Sequence, residues 1–195
     1  MPSFAVRSSR CASHLSIAAS LTLLLASSAS HAALQASAAF TPTLQPAGEY
    51  SYAGQLTNTG TTTVGTFWFA WIPGQNYLAS TPFTITSPAG WTATVTHGSS
   101  SDGWGIRWTA STTNARIAPG ASLSGFSFKA NISPLQLSGN SPFYPSVPMT
   151  RSFVYSAAAF SDAGYSFEAT VVPTPTTATL LALSAAALTT RRRRA

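Results

Sequence analysis

Few residues carry titratable side chains, and their spacing decides which reactions the chain could support. Between positions 33 and 172 there is one histidine, His97, and the carboxylates number four: Glu49, Asp102, Asp162 and Glu168. His97 and Asp102, with a nearby serine, have the residue types of a hydrolase triad. The segment from His97 to Gly103 also has the composition of a hairpin loop between two strands, and this interpretation is the stronger one. Glu49 and Glu168 would suit a glycosidase only if the first and last strands brought them together across a cleft.

Metal and nucleotide chemistry have no matching pattern of ligands. Zinc sites need cysteine or histidine clusters, and the only cysteine, Cys11, lies near the N-terminus. Calcium sites need carboxylates close together in sequence, and the chain contains no D-x-D run. Neither a P-loop nor a G-x-G-x-x-G motif is present. We therefore expect a protein that is not an enzyme and that holds no metal and no cofactor.

The aromatic residues are the other candidates for a functional site. All five tryptophans lie between positions 68 and 108, where they could fill a core or stack on sugar rings. Trp104 and Trp108 share parity with Ile106, which favours the core, since tryptophan is highly buried on average. Trp68 and Trp71 have opposite parity, so one of them could face solvent. Tyr77 and Tyr144 lie in Pro- and Gly-rich loops, where they could also contact a sugar. We therefore take four residues as candidate carbohydrate contacts: Trp68, Trp71, Tyr77 and Tyr144.

The elements that must position these residues are predicted to be strands. Apolar residues alternate with polar ones in several segments, which indicates half-buried antiparallel strands: 50–56, 91–95, 104–110, 126–128 and 165–171. Thr63 to Ile72 is apolar on both parities, as expected for a central strand buried on both faces. Turn sequences such as Pro73-Gly74 and Pro119-Gly120 separate the runs. This pattern predicts an all-β fold, an antiparallel β-sandwich of the immunoglobulin-like or jelly-roll-like kind, over residues 33–172.

The charge distribution argues against a nucleic-acid partner. The chain has 10 Lys and Arg residues against 4 Asp and Glu, a net charge of +6. Six of the arginines lie near the two ends, and the body has four basic residues against four acidic ones. A neutral body lacks the basic surface that a phosphate backbone requires.

Residues 1–32 are typical of a secretory signal peptide that forms a helix. Arg7 and Arg10 precede an apolar stretch rich in Leu and Ala, and Ser30-His31-Ala32 supplies small residues where a signal peptidase cleaves. Cleavage after Ala32 would remove Cys11, so the mature chain would have no cysteine and no disulfide. The predicted partner at this end is signal peptidase, and the predicted fate is export through the inner membrane.

Residues 173–195 have three parts in a fixed order. A proline break contains Pro173, Thr174 and Pro175, an uncharged Leu- and Ala-rich run covers 178–190, and the last part is an arginine cluster: Arg191, Arg192, Arg193 and Arg194. The apolar run favours a helix that inserts transiently in the membrane, and the arginines would stay in the cytoplasm.

This tail resembles the PEP-CTERM sorting signal of Gram-negative bacteria and their relatives. The two prolines, the apolar helix and the basic end match that family pattern, whereas Thr174 stands where the family usually has Glu. The resemblance implies processing by an exosortase, a membrane transpeptidase, and delivery to the cell surface or extracellular matrix. It implies nothing about the fold of the preceding domain.

Taken together, these patterns predict an exported, non-enzymatic cell-surface or matrix protein. Its role would be structural or adhesive in an exopolysaccharide or biofilm. The alternative is a carbohydrate-binding module that uses exposed aromatic side chains. The solvent exposure of the tryptophans and the separation of Glu49 from Glu168 distinguish these possibilities from each other and from a surface hydrolase.

Overall fold

The structure, a computed structural model, describes residues 33–172. The predicted signal peptide, with Ala32 and its helix, and the predicted sorting signal, with its apolar helix, lie outside the described residues. Within residues 33–172 no helix has the length and apolar character needed to cross a membrane.

The described residues form two five-stranded sheets and one two-stranded ribbon. In chain order the strands are β1 (Ala36–Leu44), β2 (Tyr50–Asn58), β3 (Thr66–Phe69), β4 (Trp71–Ile72), β5 (Gln75–Asn76), β6 (Phe83–Thr86), β7 (Trp91–His97), β8 (Trp104–Ala110), β9 (Ser122–Ala130), β10 (Arg151–Tyr155), β11 (Tyr165–Glu168) and β12 (Thr170–Val171). The spatial order is β12-β1-β2-β9-β6 in the first sheet and β11-β10-β3-β8-β7 in the second, with β4 and β5 forming the ribbon. The fold is therefore an all-β, two-sheet sandwich, as the alternation predicted.

The pairing within the sheets is antiparallel with one exception in the described part of the chain. β12 runs parallel to β1, with Ala39 opposite Thr170 and Phe40 opposite Val171. The alternating run 165–171 thus divides between the two sheets, β11 pairing with β10 in one and β12 with β1 in the other. The sequence pattern did not indicate this change of sheet, because the alternation continues across the break at Ala169.

Within the predicted central strand over 63–72, β3 lies in the middle of the second sheet and β4 belongs to the ribbon, and residues 64–71 are buried. The predicted strand is thus not continuous. Ala70 adopts a left-handed conformation with φ 55°, which ends β3 at Phe69 and begins β4 at Trp71. Left-handed backbone is uncommon for residues other than glycine, so only the surrounding packing can hold Ala70 there.

The core between the sheets is mainly aromatic. Its largest fully buried side chains include Trp108, Tyr52, Phe67 and Phe126. The Phe67 and Trp108 rings stack with centroids 5.5 Å apart and planes at 14°. Trp108 belongs to this core, as its shared parity with Ile106 predicted, whereas Trp104 is only partly buried against it; Trp91 is also a core residue.

The proline-rich segment 134–148 begins with one short helix, α1 (Pro134–Leu137). Ser133 and Gln136 form a capping box, in which the Ser133 side chain accepts from the Gln136 N–H and the Gln136 side chain accepts from the Ser133 N–H. Leu137 is buried and fixes the helix to the core. This packing holds the segment against one end of the sandwich.

We expect blue-shifted tryptophan emission and weak acrylamide quenching in the native protein. Trp68, Trp71, Trp91 and Trp108 are at most 5% exposed, and only Trp104 is partly accessible. Quenching of the protein unfolded in guanidinium supplies the reference for full exposure. Quenching of the native protein as strong as that of the unfolded chain would contradict the described packing.

Candidate functional site

The hairpin of β7 and β8 carries the only histidine of the body. His97 is the last residue of β7 and lies opposite Trp104 in the strand register, which confirms the hairpin, with residues 98–103 as its loop. His97 Nδ1 is 2.7 Å from the carbonyl oxygen of Gly103, and the described hydrogen bonds include none between His97 and Asp102. The structure therefore does not form the triad that these residue types allow.

Asp102 instead anchors the hairpin loop to its surroundings. Its carboxylate accepts hydrogen bonds from the Asn76 N–H at 2.8 Å, the Asn76 Nδ2 at 2.5 Å, the Gly98 N–H at 3.1 Å and the Tyr144 hydroxyl at 3.2 Å. The side chain is only 6% exposed. Next to it, a Cβ on Gly103 would lie 2.6 Å from the Asn76 carbonyl oxygen, so the close approach requires glycine. Asp102 thus joins three separate segments at one end of the sandwich.

The stability of the fold should decrease in acid because of two aspartates. Burial raises the pKa of Asp102, but its hydrogen bonds with Asn76, Gly98 and Tyr144 outweigh this effect and lower the net pKa. The pKa of Asp162 is lowered in the same way, chiefly by hydrogen bonds from Ser156 and Gly164 acting against burial. A pKa lower in the folded than in the unfolded state stabilises the fold above the unfolded value of ~4, and this stabilisation is lost as the pH falls through the folded pKa.

We therefore expect the free energy of unfolding to be nearly constant above pH ~5 and to fall steadily below pH ~4. Urea denaturation curves recorded at several pH values measure this dependence. Asp102→Asn should make it shallower, because one of the two titrating groups is removed. A stability that is independent of pH in the acid range would contradict the hydrogen-bond assignments.

Three partly or fully exposed rings lie beside the Asp102 anchor. The His97 and Trp104 rings stack with centroids 4.5 Å apart and planes at 8°, and Phe143 meets Trp104 edge-on at 6.3 Å. We call His97, Trp104 and Phe143 the Trp104 platform. Trp104 has the core-facing parity of Ile106, but it is the first residue of β8, where the sandwich opens. Its ring therefore packs against the core and still reaches solvent.

A groove of about 490 Å³ lies near the Trp104 platform, although none of the three platform rings is among its lining residues. The chain links the groove to the platform on one side. Leu78 pairs with Trp104 through two backbone hydrogen bonds, and the next residue, Ala79, lines the groove. On the other side Pro142, also in the wall, precedes Phe143. Three amide side chains and three apolar ones supply most of the lining: Asn131, Gln136, Asn140, Ile132, Pro142 and Met149.

The groove offers neutral hydrogen-bonding groups. Ser80 also lines it, and the Ser80 hydroxyl oxygen is buried without a hydrogen-bond partner in the described part of the structure. No charged side chain is among the groove's described lining residues. Across residues 33–172 no three His, Cys, Asp or Glu side chains lie close enough to hold a metal ion. The chemistry available here is recognition by amides, hydroxyls and ring faces.

The four predicted carbohydrate contacts lie in two places, since the Tyr77 and Tyr144 rings meet edge-on with centroids 5.4 Å apart. Tyr144 belongs to the Asp102 anchor beside the Trp104 platform. Tyr77 is fully buried, and its hydroxyl donates to the Gln75 Oε1 at 2.8 Å. Trp68 and Trp71 stack on each other on the outer side of the second sheet, with centroids 3.7 Å apart.

Sequence reasoning missed His97, Trp104 and Phe143 as a group. Parity assigned Trp104 to the core, and the loop interpretation set His97 aside. A signal was nevertheless present: an aromatic residue that begins a strand directly after an exposed Gly- and Ser-rich loop lies at the end of the sheet, where burial is incomplete.

The carboxylates proposed for a glycosidase do not face each other. The first and last strands do pair, but in parallel, which places Glu168 near the start of β1 and Glu49 beyond its end. Nine residues of β1 separate these two points, a distance of ~30 Å at the rise of an extended strand. Glu168 lies instead opposite Arg151 in the register of β10 and β11.

Comparison with known proteins gives similarity of fold only. No protein-family model and no curated protein sequence matches the chain. One similar structure is the GH20 exo-β-N-acetylglucosaminidase from Vibrio harveyi in complex with N-acetylglucosamine, at 7% identity and a TM-score of 0.41, over 71% of this chain and 18% of the enzyme. This chain thus spans less than a fifth of that enzyme's length.

Two further similar structures are small domains. A biomass-sensing module from an RsgI-like protein of Clostridium thermocellum, which resembles the family 3 carbohydrate-binding module of the cellulosome, shares 14% identity at a TM-score of 0.40, covering 64% of this chain and 95% of the module. An immunoglobulin-like protein from Nocardia farcinica shares 15% identity at a TM-score of 0.36, covering 68% of this chain and 98% of that protein. These values are too low to transfer a site, so the proposals below depend on this chain's own residues.

Proposed function

We propose that this protein is an exported, non-catalytic domain that binds a neutral polysaccharide at the Trp104 platform and its groove. The observation that carries the proposal is a partly exposed indole whose backbone partner Leu78 directly precedes the wall of a groove lined by three amides. Binding of this kind would give the protein its structural or adhesive role in an exopolysaccharide matrix.

The two parts of the site match the two kinds of surface on a sugar ring. A pyranose has an apolar face of C–H groups, which packs on an aromatic ring, and a rim of hydroxyls, which needs donors and acceptors. Trp104 supplies a ring held in one orientation by His97 and Phe143. Asn131, Gln136 and Asn140 supply amides. The Gln136 Oε1 already accepts from the Ser133 N–H and the Asn140 Nδ2 already donates to the Pro145 carbonyl, so Gln136 offers mainly its donors and Asn140 mainly its acceptor. Few polar groups in an otherwise apolar concave surface are typical of small-molecule sites.

The charges of the site favour a neutral ligand over an acidic one. The groove lining contains no Lys or Arg to pair with a uronic acid or a sulfate. The nearest carboxylate, Asp102, already accepts four hydrogen bonds and is buried. An anionic polymer would lose water at this site without gaining a charged partner.

The rigidity of the site also supports recognition. The Asp102 anchor fixes the hairpin loop that precedes Trp104, and the capping box orders the helix that contributes Gln136. A site that is ordered before binding loses little conformational entropy when the ligand arrives.

The test is adsorption of the purified protein to insoluble neutral polysaccharides, with cellulose and chitin as probes, beside an anionic polymer such as alginate. We expect saturable retention on at least one neutral solid that the corresponding soluble oligosaccharide displaces, and no retention on alginate. Equal retention on all solids, or on none, would overturn the proposal.

Export and sorting form the second part of the proposal. The described sheet continues to Val172, whose N–H donates to the Phe40 carbonyl at 2.9 Å, one residue before Pro173. The proposed processing site therefore follows directly on a β-strand.

We expect the protein recovered from the cell surface to lack the residues after about Pro175. Pro173→Ala combined with Pro175→Ala should leave a longer species in the membrane fraction, because an extended proline break would no longer precede the apolar run. Intact mass spectrometry of both fractions measures this. A surface protein whose mass includes residues 178–190 and all four arginines would show that the tail is a plain membrane anchor.

A further inference from the structure

The second sheet carries an aromatic cluster on its outer side, away from the core. Trp68, Trp71, Phe153 and Tyr155 are buried together and form a group separate from the main core. Strand parity alone would place Trp68 and Trp71 on opposite faces. The left-handed Ala70 between β3 and β4 reverses that parity, so both indoles lie on the outer face and stack at 3.7 Å.

A single exposed phenylalanine covers this cluster. Phe160 is 65% exposed, yet its ring lies within 5.4–6.0 Å of the rings of Trp68, Trp71 and Tyr155, at steep angles. We call Phe160 and these three rings the outer patch. Three supporting rings hold Phe160 from below, while most of its own surface stays in contact with water.

The loop that carries Phe160 is fixed by an internal hydrogen-bond network. Asp162 accepts from the Ser156 N–H at 2.9 Å, from the Ser156 hydroxyl and from the Gly164 N–H at 2.7 Å. The Thr66 hydroxyl donates to the Ala157 carbonyl at 2.6 Å and ties the loop to β3. Phe160 itself has a left-handed φ of 63°, a conformation that must be held by its surroundings. An exposed ring fixed in this way is pre-organised for binding.

The surroundings of the outer patch are hydroxyl-rich. The strand registers place Thr94, Arg107, Trp68 and Phe153 side by side in one row across the outer face. Thr92 and Thr96 share the parity of Thr94 on the edge strand β7, two strands from Trp68. The Thr92 hydroxyl donates to the Thr109 carbonyl and the Thr96 hydroxyl to the Asn76 Oδ1. Asp162 is held within its loop, whereas the Arg107 guanidinium lies above the Trp68 ring at 5.1 Å and brings a positive charge to one side of the patch. An exposed ring with hydroxyls on the same face suits a sugar chain, which has both C–H faces and hydroxyls.

From these observations we infer that the outer patch is a second, weaker binding site for neutral polysaccharide, and that the protein cross-links two chains. This inference rests on the proposed function of the Trp104 platform. Trp104 has inner-face parity and Trp68 outer-face parity on adjacent strands of the same sheet. Two sites on opposite faces of a sheet favour two separate polymer chains over one continuous chain. A second copy of the protein is the competing occupant of the outer patch.

The experiment separates simple binding from cross-linking. The full-length purified protein is first adsorbed to cellulose or chitin, and fluorescently labelled hydroxyethyl cellulose or glycol chitin is then added in solution. We expect wild-type protein to capture the labelled polymer on the solid. Phe160→Ser should stay on the solid within about twofold of wild type and lose at least tenfold of the capture. Leu44→Ser is the matched control, because Leu44 is 64% exposed on the other sheet, and it should behave as wild type.

The outcomes of this experiment distinguish the proposed function from the cross-linking inference. Failure of wild-type protein to adsorb at all would overturn the proposed function and, with it, this inference. Adsorption without capture, or equal capture by Phe160→Ser, would overturn the cross-linking inference alone. Sedimentation of the proteins without polysaccharide completes the test, since a dimer that Phe160→Ser dissociates would make the outer patch a self-association surface instead.

Discussion

Trp104→Ala is expected to weaken binding to neutral polysaccharide about 10- to 100-fold, which corresponds to ~1.4–2.8 kcal/mol. The indole is the largest ring of the Trp104 platform, and it also supports the stacked His97 at 4.5 Å. Removing it would eliminate the main apolar contact and free the His97 ring. Adsorption isotherms on the polysaccharide that binds wild-type protein give the dissociation constants, measured both alone and in the Phe160→Ser background so that the outer patch does not mask the loss.

Two controls separate a lost contact from a lost fold. Trp104→Phe keeps an aromatic face and should retain most of the affinity, whereas Trp104→Ala should not. Circular dichroism at the assay temperature establishes that each variant is folded, which matters because Trp104 also packs against the core. Wild-type affinity in folded Trp104→Ala would place the polysaccharide site elsewhere on the protein.

Asp102→Ala is expected to lower the free energy of unfolding by ~3 kcal/mol or more, equivalent to a decrease in Tm of roughly 10 °C for a domain of this size. Four donors would lose their acceptor in a site that is 6% exposed, and charge-assisted hydrogen bonds are stronger than neutral ones. Thermal and urea denaturation at neutral pH measure the loss.

Asp162→Ala is the matched control, because Asp162 also accepts several hydrogen bonds but is exposed. Water can replace its interactions, so its removal should cost about 1 kcal/mol or less. Asp102→Ala should in addition weaken polysaccharide binding below its unfolding temperature, since the hairpin loop and Tyr144 would lose their common anchor. Equal destabilisation by the two substitutions would show that burial does not control the strength of the Asp102 anchor.

The low charge of the chain agrees with the proposed contact with a neutral polysaccharide. Charged residues make up only 7% of the sequence, so its surface depends on hydroxyls and amides for solubility. The same groups suit contact with a polymer whose own surface consists of hydroxyls and C–H faces. A neutral surface also avoids non-specific attraction to anionic polymers and membranes.

Local patterns in the sequence were sufficient for the class of fold. Period-2 alternation identified β2, β7, β8 and β9, and Gly- and Pro-containing turns separated them. Parity placed Trp108 in the core correctly, because side chains on a regular strand must alternate between the two faces. The hairpin at 97–103 was recognisable for the same reason: loop composition interrupts the alternation at one point and the alternation then resumes.

Only the tertiary structure decided which aromatic rings reach solvent. Trp71 lies on the face of Trp68 because one residue, Ala70, has a left-handed backbone that no local pattern announces. Trp104 is accessible because the sandwich ends beside it, although its parity equals that of the buried Ile106. The groove amides Asn131, Gln136 and Asn140 belong to the segment after β9. They come close to Ala79, which is distant in sequence, only when the chain folds. Parity gives the face of the strand to which a side chain points. Its exposure depends on whether other segments of the chain pack over that face.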